Sequence, residues 1–152
     1  FPEIKNFINY KINILERKEA KIEIFIGQEL SKINTKKIDI VDINNINTIA
    51  GVMLDNIIDS IEKSKEKLVS INIYIDKNTV HIILANNFEN KLDLSKINKL
   101  GYSTKGKERG IGLSLVNDII KSSKNLELET KIEEKFFIQH LKIRLGVVHL
   151  NM

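Results

Sequence analysis

Hydrophobic positions change period several times along the chain, and each change marks an element. Ile4, Phe7, Ile8, Ile12 and Leu15 recur at helical spacing among Lys, Asn and Glu, which predicts an amphipathic helix over residues 3 to about 20. Pro2 sits where a first helical turn has no N–H to lose. The period then falls to two. Ile22, Ile24 and Ile26 alternate with Glu23, Phe25 and Gly27, the pattern of a short strand. Ile38 and Ile40, after a polar turn around Asn34 to Lys37, predict a second, shorter strand. A long helix follows, with Ile46, Ile49, Ala50, Met53, Leu54, Ile57, Ile58 and Ile61 on one stripe, and Asp42, Asn44, Asn45 or Asn47 is expected to cap its start.

Strand periodicity returns with Val69, Ile71, Ile73 and Ile75, and again after Asp76 to Thr79 with Val80, Ile82 and Leu84, so a β-hairpin is expected. Its second strand runs into Ala85-Asn86-Asn87, turn-prone residues at a strand's C-terminal end, where ligand crevices in α/β sheets form. Residues 88 to 109 lack clean periodicity and read as a long loop with a short turn near Leu94 to Leu100. A helix from about Ile111 to Lys124 buries Leu115, Val116, Ile119 and Ile120. Leu126, Leu128 and Ile132, followed after Glu133-Glu134-Lys135 by Phe136 to Ile143, predict a second hairpin. The tail from Arg144 to Met152 carries no clear pattern.

Composition narrows the function classes. A chain of 152 residues with 42% hydrophobic positions suits one domain with an ordinary core. There is no apolar run of about 18 residues or more and no signal-peptide layout; a start at Phe1 fits a piece of a longer protein, for which a membrane segment stays open. With no cysteine, disulfides and thiolate metal sites are excluded, and three scattered histidines argue against zinc. The net charge of +4 is spread along the chain without a basic arm or aromatic interleaving, so nucleic acid is not the expected partner.

The chemistry concentrates in Gly101 to Val116, which places glycines, hydroxyls, Lys105 and Arg109 directly ahead of a helix. Glycines let backbone N–H groups approach an anion, the cations add charge and the helix offers its unpaired donors, so the stretch reads as a phosphate cradle. A surface loop with a basic tip is the plain alternative. On the long helix, Asn56, Ser60 and Lys63 line up at i, i+4 and i+7 away from the apolar stripe, with Asp55, Asp59 and Glu62 beside them; a solvated face is the alternative there.

Taken in order, these pieces resemble the ATP-binding catalytic domain of sensor histidine kinases, within the GHKL or Bergerat-fold superfamily shared with gyrase and MutL. Among these they are most similar to the Agr-type peptide-pheromone quorum-sensing kinases of Gram-positive bacteria. Gly51 to Ser60 resembles the N box, Ile83-Leu-Ala-Asn-Asn87 stands at the first glycine box, and Gly101 to Gly106 with Arg109-Gly-Ile-Gly-Leu-Ser114 is similar to the second. The resemblance implies an α/β (α+β) two-layer sandwich: a mixed, mostly antiparallel sheet of about five strands with about three helices on one face. It also implies that residues 1–20 end a dimerisation or linker helix, 21–144 form the catalytic domain and 145–152 are a tail.

By the same resemblance Asn56 is the catalytic residue, offering its amide oxygen to a Mg²⁺ that bridges the phosphates of ATP. Asn86 would sit under adenine, where the wider family uses Asp, and its neutral carbonyl implies modest ATP affinity. Gly110 and Gly112 would bring backbone amides to the phosphates, with Leu113 opening the helix; Ser103, Thr104, Lys105 and Arg109 would bind phosphate. Gly101 to Glu108 would act as a mobile lid and Arg109 to Leu113 as a fixed glycine turn. Val52 stands where hydrolytic relatives carry a water-activating Glu, so slow hydrolysis is expected. None of His81, His140 and His149 has the surroundings of a phosphoacceptor, and the first two are expected on a sheet surface. The acceptor histidine then lies on another domain of the same chain or of a dimeric partner, the product passes to a response regulator, and this is the cytoplasmic domain of a homodimeric parent in the bacterial membrane. An anti-sigma-type serine kinase and a degenerate nucleotide-binding interaction module are the alternatives.

Overall fold

A computed structural model describes residues 2–32, 40–88 and 107–145. Within them three helices, α1 (Pro2–Arg17), α2 (Ile40–Ile61) and α3 (Lys107–Ser122), accompany five strands: β1 (Lys21–Ile26), β2 (Leu68–Asp76), β3 (Thr79–Asn87), β4 (Leu126–Glu133) and β5 (Phe136–Arg144). A 3-10 turn at Gln28–Lys32 follows β1. The strands form one sheet in the order β1-β2-β3-β5-β4. Only β1 and β2 run parallel, and every other pair is antiparallel, so the sheet is mixed and mostly antiparallel as expected.

Strand alternation divides the sheet into a helix-packed face and an outer face. In β3, Val80, Ile82, Leu84 and Asn86 are buried, whereas His81, Ile83 and Ala85 are half-buried on the opposite side. In β5, Phe137, Gln139, Leu141 and Ile143 occupy the inner face. α2 supplies the centre of the core, with Ile46, Ile49, Met53, Leu54, Ile57 and Ile61 at most 1% exposed. Each such side chain contributes about 1.5–3 kcal/mol by leaving water. α1 adds Ile8, Ile12 and Leu15, and α3 adds Val116, to the same cluster.

Two hairpin turns follow from local chemistry. Lys77 and Asn78 both take positive φ, 49° and 66°, the pair of left-handed residues that a tight β2–β3 connection requires. Glu134 takes φ 54° between β4 and β5.

Several boundaries differ from the sequence expectation. Ile40 opens α2 and belongs to no strand, because Ile43 and Ile46 continue its three-residue spacing into the helical stripe; Ile38 lies outside the described residues. Asp42, Asn44, Asn45 and Asn47 are therefore inside the helix and not at its cap. Asp42 places negative charge in the first turn, where the helix dipole favours it, and accepts from Asn125 Nδ2 at 3.2 Å. α3 begins at Lys107, so Gly110 and Gly112 lie within its first turns and not in a turn ahead of it, although each interior glycine costs about 1 kcal/mol relative to alanine. Ala85, Asn86 and Asn87 are strand residues, paired with Ile138, Phe137 and Phe136. The short turn expected near Leu94 to Leu100, most of the tail and His149 fall outside the described residues.

Candidate functional site

The inner row of β3 is apolar until its last position. Val80, Ile82 and Leu84 are followed by Asn86, which is 1% exposed and stands between Val69 of β2 and Phe137 of β5. Its Nδ2 donates to Ser60 Oγ and to the backbone carbonyl of Asn87, both at 3.0 Å. Asn86 Oδ1 is buried and, among the described residues, accepts no hydrogen bond. Such an orphaned acceptor costs on the order of 1–3 kcal/mol, so its retention at a strand end calls for a reason. Asn47 Oδ1 shares this state elsewhere on α2.

Asn87 does a different job. Its Oδ1 accepts from Leu68 N at 2.9 Å and its Nδ2 donates to Glu66 O at 2.8 Å, so one amide ties the end of β3 to the segment that leads into β2. The residue acts as a backbone clamp, a role that its turn-prone character does not reveal.

The Ser60 contact fixes which face of α2 meets the strand end. Asn56 lies one turn before Ser60 and shares its face, since residues four apart are helical neighbours. Asn56 is half-buried, and among the described residues no hydrogen bond engages its amide. Asp55, on another side of the helix, pairs with Lys11 of α1 at 2.6 Å. Val52 is half-buried and packs against the core, leaving an aliphatic side chain one turn ahead of Asn56. Buried Gln139, on β5 beside Leu84, donates to the Met53 carbonyl at 3.3 Å and so fastens the middle of α2 to the sheet.

The structure therefore brings Asn56, Ser60 and Asn86 together at one end of the α2–β3 contact. Arg109, Gly110, Gly112 and Leu113 lie on α3 within its first two turns, and α3 packs against α2. Ser103, Thr104 and Lys105 lie outside the described residues. Two contributors were not assigned a role from the sequence: Ser60, whose only signal was its i+4 relation to Asn56, and Asn87, hidden in an Asn-Asn pair.

A family model described as the GHKL domain matches residues 38–144, well over half of the chain and the span that holds all of these groups. The chain belongs to the GHKL family. Domains of this family bind ATP, generally with Mg²⁺. Among solved structures, the catalytic domain of histidine kinase ThkA in a nucleotide-free form is similar over 94% of this chain and 90% of that one, at 16% identity and a TM-score of 0.71. The histidine kinase AdeS of Acinetobacter baumannii is similar over 93% of this chain at 14% identity and a TM-score of 0.61. Full-length ShkA, solved with AMPPNP, is similar over 94% of this chain but only 30% of its own length, at 14% identity and a TM-score of 0.64. At these identities the likeness is one of fold. No curated protein matches the chain.

The donor set of this GHKL domain fits the ligands of its family. An orphaned, buried amide oxygen suits a ligand N–H, and an unengaged asparagine amide offers a neutral oxygen to a hard cation. Among the described residues no group of three or more His, Cys, Asp or Glu side chains could hold a metal, and Asn56 is the residue that would offer an oxygen to Mg²⁺.

The outer face of the sheet carries a separate polar ladder. Tyr74 stacks on His81 with ring centroids 4.7 Å apart, and His81 Nδ1 lies 2.8 Å from His140 Nε2. Burial and the neighbouring charges of His81 and Lys142 lower the pKa of His140, against a smaller opposing effect of Glu129. Both histidines sit on strands, as expected.

Proposed function

We propose that this GHKL domain is the ATP-binding catalytic module of a two-component histidine protein kinase of the Agr-type, quorum-sensing group. It would position Mg-ATP for transfer to a histidine on a dimerisation domain of the same or a partner chain. The observation that carries the reading is the buried Asn86 oxygen, orphaned beside the Asn56–Ser60 face of α2. An adenine amino group donating to that oxygen relieves its desolvation penalty, and Asn56 one turn away would hold Mg²⁺ against the phosphates. The fold of the kinase catalytic domains and the family match over residues 38–144 support the reading.

In this scheme the domain contributes positioning and charge neutralisation and forms no covalent bond of its own. Arg109, Gly110, Gly112 and Leu113 are assigned to the phosphates, with Ser103, Thr104 and Lys105 added on the sequence resemblance alone. Val52 supplies no carboxylate to activate water, which favours transfer to a protein over hydrolysis. Residues 1–20 are read as the end of the dimerisation helix, 21–144 as the catalytic domain and 145–152 as a tail; the parent is read as a membrane-bound homodimer that passes phosphate to a response regulator.

The test is incubation with γ-labelled ATP of this chain alone and of a longer chain that includes an upstream acceptor helix. Acid-labile phosphate should form only in the longer chain. Labelling of the short chain on His81 or His140, or acid-stable labelling of either chain, would contradict the assignment.

A further inference from the structure

Two histidines 59 residues apart in sequence meet on the face of the sheet opposite the helices. His81 lies on β3 and His140 on β5, diagonal to each other, since His81 pairs with Lys142 and Ile83 with His140. Strand alternation puts both side chains on the outer face, where His81 Nδ1 stands 2.8 Å from His140 Nε2. Tyr74, directly across from His81 on β2, stacks on that ring at an interplanar angle of 13° and restrains it from the far side. Both histidines are half-buried and keep access to solvent. The nearby cations are locally offset: Lys142 pairs with Glu129 at 3.6 Å, and Lys131 with Glu133 at 3.3 Å.

We propose that His81 and His140 form a two-imidazole site for a borderline divalent transition metal, zinc or copper(II), separate from the Mg²⁺ position assigned to Asn56. Imidazole nitrogens bind such ions at about 2.0–2.1 Å, so adjacent ligands of a square-planar or tetrahedral ion lie roughly 2.8–3.4 Å apart. The observed separation falls at the near end of that range, and a small turn of the rings aims both lone pairs at one ion. The ring that donates the N–H in the present contact moves its proton to its other nitrogen, so both ligands bind as neutral imidazoles. Mg²⁺, which takes oxygen ligands, does not compete for the pair. Among the described residues no third His, Cys, Asp or Glu completes a group with them, so the site is a two-ligand chelate and weaker than a closed four-ligand zinc centre. A bound ion would staple β3 to β5 across their antiparallel pairing. It would stabilise the sheet without touching the nucleotide corner on the other face, and the inference stands independently of the nucleotide reading.

The test is calorimetric titration of the full chain, carrying no histidine tag, with zinc chloride and separately with copper(II) chloride, in excess Mg²⁺ and without nucleotide. Wild type should bind one zinc ion, and copper(II) more tightly, following the Irving–Williams order. His81→Gln and His140→Gln should each weaken zinc binding about tenfold or more, whereas His149→Gln should leave it unchanged. Saturating zinc should raise the wild-type melting temperature by about 2 °C or more, a shift that both strand variants lose. Melting curves without metal verify that the variants fold, and the imidazole nitrogen resonances of wild type give a readout that needs no variant: those of His81 and His140 should both move on adding zinc. Absence of zinc binding by wild type, binding retained in either strand variant, or zinc-insensitive resonances at His81 or His140 would overturn the site.

Discussion

At Asn86 the amide nitrogen has two partners, Ser60 Oγ and the Asn87 carbonyl, while the amide oxygen has none among the described residues. Asn86→Asp tests this at the level of stability. The carboxylate would lose the hydrogen bond donated to the Asn87 carbonyl and bring negative charge against that oxygen, while the Ser60 hydroxyl can turn to donate to it, so urea unfolding should show a loss of about 1–3 kcal/mol. Asn87→Ala should lower stability by a comparable amount, about 1–3 kcal/mol, through the orphaned Leu68 N–H and Glu66 carbonyl. The two asparagines were legible as adjacent polar residues at a strand end, but their composition pointed to a turn. What separated them was burial and register: Asn86 ends the inner row of β3, and Asn87 reaches across to β2. Neither is visible from residue type alone.

On the outer face, the lowered pKa of His140 gives a signed pH dependence. The unfolded chain binds a proton at this histidine more readily than the folded one, so the group's contribution is complete above its ordinary pKa of about 6.5 and is lost as pH falls below it. The charged and titratable groups around it are His81 on β3, Lys142 on β5 and Glu129 and Lys131 on β4. Unfolding midpoints measured from pH 7.5 down to 5.5 should fall less steeply in His140→Gln than in wild type.

Among the elements, α2 was the most legible, whereas β1, expected as a strand and found at Lys21–Ile26, gave no sign of its partner. Eight apolar positions at helical spacing announce α2 over most of its length, and the same stripe proves to be the centre of the core. Its first turn was misread because Ile38 and Ile40 offer only a single two-residue step, too short to distinguish a strand from the start of a helix. The parallel pairing of β1 with β2 could not be read from either strand, since it depends on α2 crossing between them. α1 shows how an amphipathic pattern leaves its partner unnamed. The stripe of Ile8, Ile12 and Leu15 packs into the core beside α2; the ion pair Lys11–Asp55 joins the two helices, and Lys18–Glu62 joins the residues just past their ends. Leu15 is fully buried, so Leu15→Ala should cost about 2–5 kcal/mol in chemical denaturation, far more than Tyr10→Ala on the exposed side of the same helix.

At the scale of the molecule, a five-stranded mixed sheet carries a helical layer, and the candidate site sits where α2 meets the end of β3. The order of helix, hairpin and second helix made this architecture legible together with the N-box and glycine-box motifs, whereas Ser60 was visible only as a neighbour of Asn56. In the proposed function this corner receives Mg-ATP. Calorimetric titration with ATP, with and without Mg²⁺, on wild type, Asn56→Ala and Asn86→Ala tests it most directly. Mg-dependent binding to wild type is expected, with loss of the Mg²⁺ dependence in Asn56→Ala and binding weakened about tenfold or more in Asn86→Ala with the fold retained. Binding to both folded variants that is indistinguishable from wild type, or no binding to wild type at all, would contradict it.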